Sequence, residues 1–290
     1  MNANLAGIFT LIVWTSSALL VTFVTRLPAL QLVTVTWIVA ALCLYIYFLA
    51  TKTPVRAQFN RSWQDYVFVT TGLGVYTALF YIAFKYAPAF EANTLNYLWP
   101  LFLMFFMAVF LKTRLTTLNI AGMLAGFIGC VAIIAARETG AGLPDAGFGI
   151  GHAVAILAAA LWGYYSTMAR TKDYPVGFLL PVFILSAILT AGLHLVFEST
   201  VMPTGFEWLI LITLGLCRLT YVSWDYAMRH GNQLMLSSLS YLTPLGSTLV
   251  LIAGGHGAAT PGIALAGALI IGGCIIVNWD GLMKFMRKQS

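Results

Sequence analysis

Asn93, Asn96, Tyr97 and Pro100 recur at i, i+3, i+4 and i+7, a spacing that puts all four on one face of a helix. At an offset of 144 positions, Ser237, Ser240, Tyr241 and Pro244 fill the same four slots. Amides, hydroxyls and a phenol suit reversible hydrogen bonding rather than bond cleavage. Each proline removes a backbone donor and crowds the preceding turn, so a carbonyl near Asn96 and another near Ser240 is expected to lose its partner. Pro100 and Pro244 therefore read as kinks, either hinges beside a cavity or static bends. Deep aromatic residues add flat apolar walls that also carry a polar tip. Tyr76, Tyr81, Tyr97, Trp99, Trp162, Tyr221, Trp224 and Tyr241 lie well inside apolar segments, away from the segment ends where interfacial aromatics gather. Tyr165 and Tyr226 read as packing residues instead.

One further stripe carries charge. Arg218, Tyr221, Asp225 and Arg229 follow i, i+3, i+7 and i+11. A mid-membrane arginine is costly and should face the bundle interior or water. Arg218 has two readings, contact with a substrate carboxylate or pairing with a polar group inside the protein. Asp225 is a poor partner for it, because seven residues of helix span about 10.5 Å. Asp225 instead reads as a solvated flank or as the ion-pair partner of Arg229. The candidate substrate-binding set is thus Tyr76, Tyr81, Asn93, Asn96, Tyr97, Trp99, Trp162, Arg218, Trp224, Ser237, Ser240 and Tyr241. No nucleophile–base pair, HExxH, Walker or dinucleotide motif is present, so no enzyme is expected. His152, His194, His230 and His256 lack metal-ligand spacing and read as interfacial, with no metal and no cofactor implied. Cys43, Cys130, Cys217 and Cys274 sit in apolar segments without CxxC spacing and read as packing residues.

The elements that must carry these stripes follow from composition. The chain is 60% hydrophobic and 8% charged, where a soluble domain carries roughly 25% charge. Ten apolar segments recur at about 4–25, 29–50, 65–85, 91–111, 117–136, 148–169, 176–197, 206–228, 234–254 and 262–283. Each is long enough, at 1.5 Å per residue, for a hydrocarbon core of about 30 Å. The fold class read here is an all-α integral membrane protein with ten transmembrane helices, the first retained rather than cleaved. With the N-terminus inside, Lys52, Arg56, Arg61, Lys112, Arg114, Arg170, Lys172, Arg229, Lys284, Arg287 and Lys288 fall on the cytoplasmic side. Only Arg26, Lys85 and Arg137 fall outside, a bias that places both termini in the cytoplasm. The net charge of +6 therefore reads as topology and lipid contact, not nucleic-acid binding.

The 144-residue offset also pairs Leu95 with Leu239, Leu98 with Leu242, Gly129 with Gly273 and Cys130 with Cys274. Five spans per half is an odd number, so the halves enter the membrane from opposite sides as two inverted five-helix repeats. The division is 1–138, a connector at 139–147, and 148–290. The first, third, fourth, sixth, eighth and ninth spans are expected to surround a central cavity.

The layout resembles the drug/metabolite transporter superfamily in its ten-helix EamA-type branch. Asn96-Tyr97-Leu98-Trp99-Pro100-Leu101-Phe102 and Trp224-Asp225-Tyr226-Ala227-Met228 are similar to motifs of the YddG-type aromatic amino acid exporters within it. Many EamA-type proteins carry a Leu-Gly-Glu-Arg-like run after the fourth helix; here it is Leu111-Lys112-Thr113-Arg114, without the glutamate. The resemblance implies export of an aromatic or amphipathic amino acid, and the two repeats imply alternating access. The expected setting is a bacterial-type inner membrane and the expected unit a monomer, with substrate and lipid as partners. The residues alone describe a cavity for apolar rings with a few hydrogen-bonding groups. A carrier of another metabolite or drug, and a ligand sensor without flux, remain open at this point.

Overall fold

A backbone surrounded by lipid has to satisfy its own hydrogen bonds. The structure, a computed structural model that describes residues 2–87, 89–138, 149–254 and 261–279, is helical throughout, with no strand among the described residues. Helices fall on each of the intervals read from hydropathy. They are α1 (Ala3–Val21), α2 (Ala29–Ala50), α3 (Trp63–Thr70), α4 (Tyr76–Tyr86), α5 (Ala89–Asn96), α6 (Trp99–Phe110) and α7 (Thr117–Glu138). Then follow α8 (Ile150–Met168), α9 (Leu179–Phe197), α10 (Gly205–Arg218), α11 (Thr220–His230), α12 (Gln233–Leu239), α13 (Leu242–Ala253) and α14 (Pro261–Val277). Among the described residues, six stretches are long and apolar enough to cross a membrane: Ala3–Val24, Ala29–Ala50, Trp63–Tyr86, Glu91–Phe110, Val176–Phe197 and Gly205–His230. The connector at 139–147 and the basic run Lys284, Arg287 and Lys288 lie outside the described residues, as does His256.

Four intervals are interrupted. A π-helical segment, Thr71–Val75, separates α3 from α4, and Leu219 separates α10 from α11. The intervals that carry Pro100 and Pro244 break just upstream of the proline, at Tyr97–Leu98 and at Ser240–Tyr241. The breaks tighten rather than open the backbone. The Leu98 amide donates to the Leu95 carbonyl at 3.1 Å, and the Thr243 amide donates to the Ser240 carbonyl at 3.0 Å. The Ser240 carbonyl is therefore occupied, contrary to the expectation from the proline alone, because three-residue turns absorb groups that the missing amide would have orphaned.

Packing follows the small residues. α7 lies on α14, where a Cβ on Gly273 would stand 2.5 Å from the Gly122 carbonyl oxygen and 2.8 Å from the Gly126 amide nitrogen. Such contact needs glycine and is how apolar helices associate where lipid offers no hydrophobic drive. Gly272, one residue away, faces open space and Gly267 meets only the Leu245 side chain. Elsewhere α2 packs on α9 and α10, α1 on α11 and α13, α8 on α4 and α6, and α9 on the π-helical segment and α3. Gly163 lets α8 approach α6, since a Cβ there would meet the Leu103 nitrogen and Trp99 oxygen at 2.9 Å. All four cysteines are free thiols.

A buried charged cluster lies in the C-terminal half of α11. Asp225 on α11 is fully buried. Its Oδ1 accepts from the Tyr165 hydroxyl at 2.7 Å and the Tyr174 hydroxyl at 2.6 Å. Its Oδ2 lies 2.9 Å from Arg229 Nε, and Arg229 Nη1 donates to the Tyr174 carbonyl at 2.6 Å. Burial, then the Asp225 charge, raises the Tyr174 phenol above its ordinary pKa, which keeps it a donor. The pairing with Arg229 matches the sequence reading; the solvated flank does not. His152 and His194, near the ends of α8 and α9, are buried and pair with Glu91 and Glu198, while His230 is exposed.

Gly273→Ala is expected to lower stability by about 1–3 kcal/mol, because backbone atoms must move to admit the methyl group. Gly272→Ala should stay within about 0.5 kcal/mol of wild type; thermal unfolding in detergent that fails to separate the two would remove the seam. Asp225→Ala strands a buried arginine and should cost about 3–5 kcal/mol. Asp65→Ala, whose 3.6 Å pair with Lys172 is part-exposed, should cost no more than about 1 kcal/mol in the same assay.

Candidate functional site

The helix breaks leave a cavity of about 310 Å³ at the centre of the bundle, the lower end of the range for small-molecule sites. α1 supplies Leu11 and Trp14, α4 supplies Tyr76 and Phe80, and the α5–α6 interval supplies Asn93, Asn96, Tyr97 and Trp99. Trp162 comes from α8 and Tyr221 from α11; Ser240, Thr243, Pro244 and Ser247 come from the α12–α13 interval. These elements lie on the first, third, fourth, sixth, eighth and ninth intervals.

The wall combines aromatic rings with polar side chains. Trp162 stacks on Tyr76 with centroids 4.9 Å apart and planes at 25°. It also lies 6.0 Å from Trp14 and, edge-on, 5.7 Å from Tyr221. Trp14 Nε1 donates to Thr220 Oγ1 at 3.0 Å, which fixes its ring against α11. Asn96 Nδ2 donates to the Tyr76 hydroxyl at 3.4 Å. Asn96 Oδ1 and Thr243 Oγ1 have no partner among the described residues. Buried polar atoms are rarely left so, and these two belong to residues that line the cavity. Among the described residues no charged side chain lines this chamber, and no group of three or more metal-ligating side chains occurs. The arrangement can hold a ring and hydrogen-bond a polar end. It has no group placed to break a bond.

The structure brings Tyr76, Asn93, Asn96, Tyr97, Trp99, Trp162, Ser240 and Pro244 of the sequence-derived set to this one wall. Tyr81 and Arg218 line a separate chamber of about 130 Å³, next to the first and sharing Trp14 and Tyr221 with it. Four residues are elsewhere. Trp224 is fully buried behind Trp162, its Nε1 donating to Ser166 Oγ at 3.1 Å. Ser237 is fully buried and bonds back to the Leu234 carbonyl at 2.9 Å. Tyr241 packs on α7, near Gly126 and Phe127. Pro100 is buried in the first turn of α6. The cause is helical phase. Counting i, i+3, i+4, i+7 from Ser237 runs through the break at Ser240–Tyr241, and the lining set restarts as Ser240, Thr243, Pro244 and Ser247. Sequence reasoning missed Leu11, Phe80, Thr243 and Ser247 and left Trp14 and Tyr221 out of the set. Trp14 was visible as the first-half counterpart of Trp162, with a four-residue slip.

The EamA-like transporter family matches residues 1–135. The aromatic amino acid exporter YddG of Ancylobacter novellus is 31% identical over 280 residues, which cover 96% of this chain and 97% of that one. The aromatic amino acid exporter YddG of Salmonella typhimurium is 27% identical over 196 residues, 63% of this chain and 64% of that one. A solved crystal structure superposes with a TM-score of 0.88 at 30% identity, covering 96% of both chains. Matched nearly end to end by a relative of this kind, in a bundle of apolar helices around a ring-lined cavity, the chain belongs to the EamA-like transporter family.

Proposed function

We propose that this multi-pass membrane transporter exports amphipathic amino acids with aromatic side chains, holding them in the 310 Å³ cavity. The observation that carries the reading is the wall itself: Trp14, Tyr76, Trp99 and Trp162 for a ring, with Asn96 Oδ1 and Thr243 Oγ1 free to meet the polar end. Rings buried between such walls gain about 1.5–3 kcal/mol each relative to water. The relatives' described cargo points the same way.

The mechanism that fits is alternating access between two inverted five-helix repeats, 1–138 and 148–290, both termini in the cytoplasm and Pro100 and Pro244 at the bends. Packing supports the repeat. Exchange α1 with α8, α2 with α9, α4 with α11, α6 with α13 and α7 with α14, and α1–α11 becomes α8–α4 while α1–α13 becomes α8–α6. The α2–α10 contact likewise becomes α9–α3, and all of these pairs are in contact. The basic-residue bias supports the orientation. Tyr97, Trp99, Asn93 and Ser240 act at the main wall in this reading; Trp224, Ser237 and Tyr241 support it from behind.

Counterflow in proteoliposomes should exchange phenylalanine, tyrosine and tryptophan and should not exchange aspartate or lysine. Absence of flux with every aromatic amino acid would sink the cargo assignment. In a background without native cysteines, Asn93→Cys and Thr243→Cys should react with a small aqueous thiol reagent, and bound phenylalanine should slow them. Ser237→Cys should react at least about tenfold more slowly than either, given its full burial. Equal reactivity at all three positions would contradict the wall described here.

A further inference from the structure

Among the described residues, Arg218 is a cation without an acid. It lies 14th in the 26-residue stretch Gly205–His230, halfway across the membrane by length. Among the described residues none of the ion pairs includes it. Asp225, the acid on its own interval, is committed to Arg229, Tyr165 and Tyr174. An arginine at this depth is unfavourable unless something offsets its charge.

The side chain is held as if for a ligand. Nε donates to Thr36 Oγ1 at 2.9 Å, and Thr36 in turn donates to the Val33 carbonyl at 2.9 Å. The Trp37 ring lies 4.2 Å from the guanidinium carbon and the Tyr221 ring 5.7 Å. With Nε taken and Trp37 close to the guanidinium, the fork formed by Nη1 and Nη2 is the remaining donor pair, and that fork matches a carboxylate end-on. It borders the 130 Å³ chamber, whose walls Trp14 and Tyr221 are also walls of the main cavity. The position 144 residues earlier is Gly74, where a Cβ would lie 2.6 Å from Ser186 Oγ. There the equivalent helices close on each other, so the fold does not itself require a long cation at this point.

We propose that the Arg218 chamber is the carboxylate pocket of the transporter. It takes the carboxylate of the cargo past Trp14 and Tyr221 while the ring stays in the larger cavity. The inference rests on the amino-acid reading above and deepens it, and it makes Arg218 and its anchor Thr36 the residues that select acids over amines.

The test compares L-phenylalanine with 2-phenylethylamine, which lacks only the carboxylate, by calorimetric binding to the purified full-length protein. Wild type should prefer phenylalanine by at least about tenfold, the scale of a hydrogen-bonded charge. Arg218→Gln should lower phenylalanine affinity at least about tenfold and leave the amine within about twofold, collapsing the preference. Arg218→Lys should keep part of it. An unchanged preference in Arg218→Gln would overturn the inference and leave the cargo reading standing. No aromatic amino acid binding to wild type would fail the cargo reading, and the inference with it. Should Arg218→Gln not fold, Cys217 provides a readout on the unaltered chain, since it lines the same chamber and is part-exposed. Phenylalanine should protect Cys217 from a small anionic thiol reagent, followed by mass spectrometry, and phenylethylamine should not. Equal protection by both, or by neither, would overturn the proposal.

Discussion

Trp162 is the residue on which the cavity depends. Six other rings surround its indole: Tyr76 at 4.9 Å, Tyr165 at 5.6 Å, Tyr221 at 5.7 Å, Trp14 at 6.0 Å, Trp224 at 6.1 Å and Trp99 at 6.2 Å. They come from α1, α4, α6, α8 and α11. Aromatic pairs at these separations contribute about 0.5–1.5 kcal/mol each beyond the area they bury. The ring can sit there because its neighbour Gly163 lets α8 settle against the α6 backbone. Trp224 then backs it from the far side, tied to Ser166. A wall so supported does not collapse when the cavity holds only water.

Helix position was legible because hydropathy and turn residues report it directly. Which face of a helix looks inward was less so. In a soluble protein an apolar stripe marks the core; here lipid and core are both apolar, and only polar residues distinguish them. Asn93 and Asn96 within α5, and Tyr97 at the break that follows it, were singled out that way. Ser237 and Tyr241 were misplaced because the periodicity was carried across the break between α12 and α13. Trp224 shows a second limit. A deep tryptophan satisfies its N–H as well from a buried serine as from a cavity, and sequence cannot tell these apart. Asp225 shows a third. Its two tyrosine partners lie 51 and 60 positions away, beyond any local pattern, while Arg229 at i+4 was readable.

Polar satisfaction also explains how the connectors hold the bundle in register. Glu198 accepts from the Leu30 and Gln31 amides at 3.0–3.2 Å, filling acceptor positions that the start of α2 lacks. Glu207 accepts from the Thr204 amide at 2.7 Å as part of the cap of α10, and also pairs with Arg26 at 2.6 Å. Both carboxylates tie the α1–α2 region to the α9–α10 region at one end of the molecule.

Two kinds of contact constrain how the helices can move against one another. The α7–α14 seam is backbone against backbone through Gly122, Gly126 and Gly273. Separating it would admit water or lipid to surfaces that gain little from either. The Asp225–Arg229 cluster is the opposite case. Its charges lost their hydration on burial, so an opening that wets them recovers much of what breaking the pair costs. By this comparison the glycine seam loses more on separation than the charged cluster does on wetting.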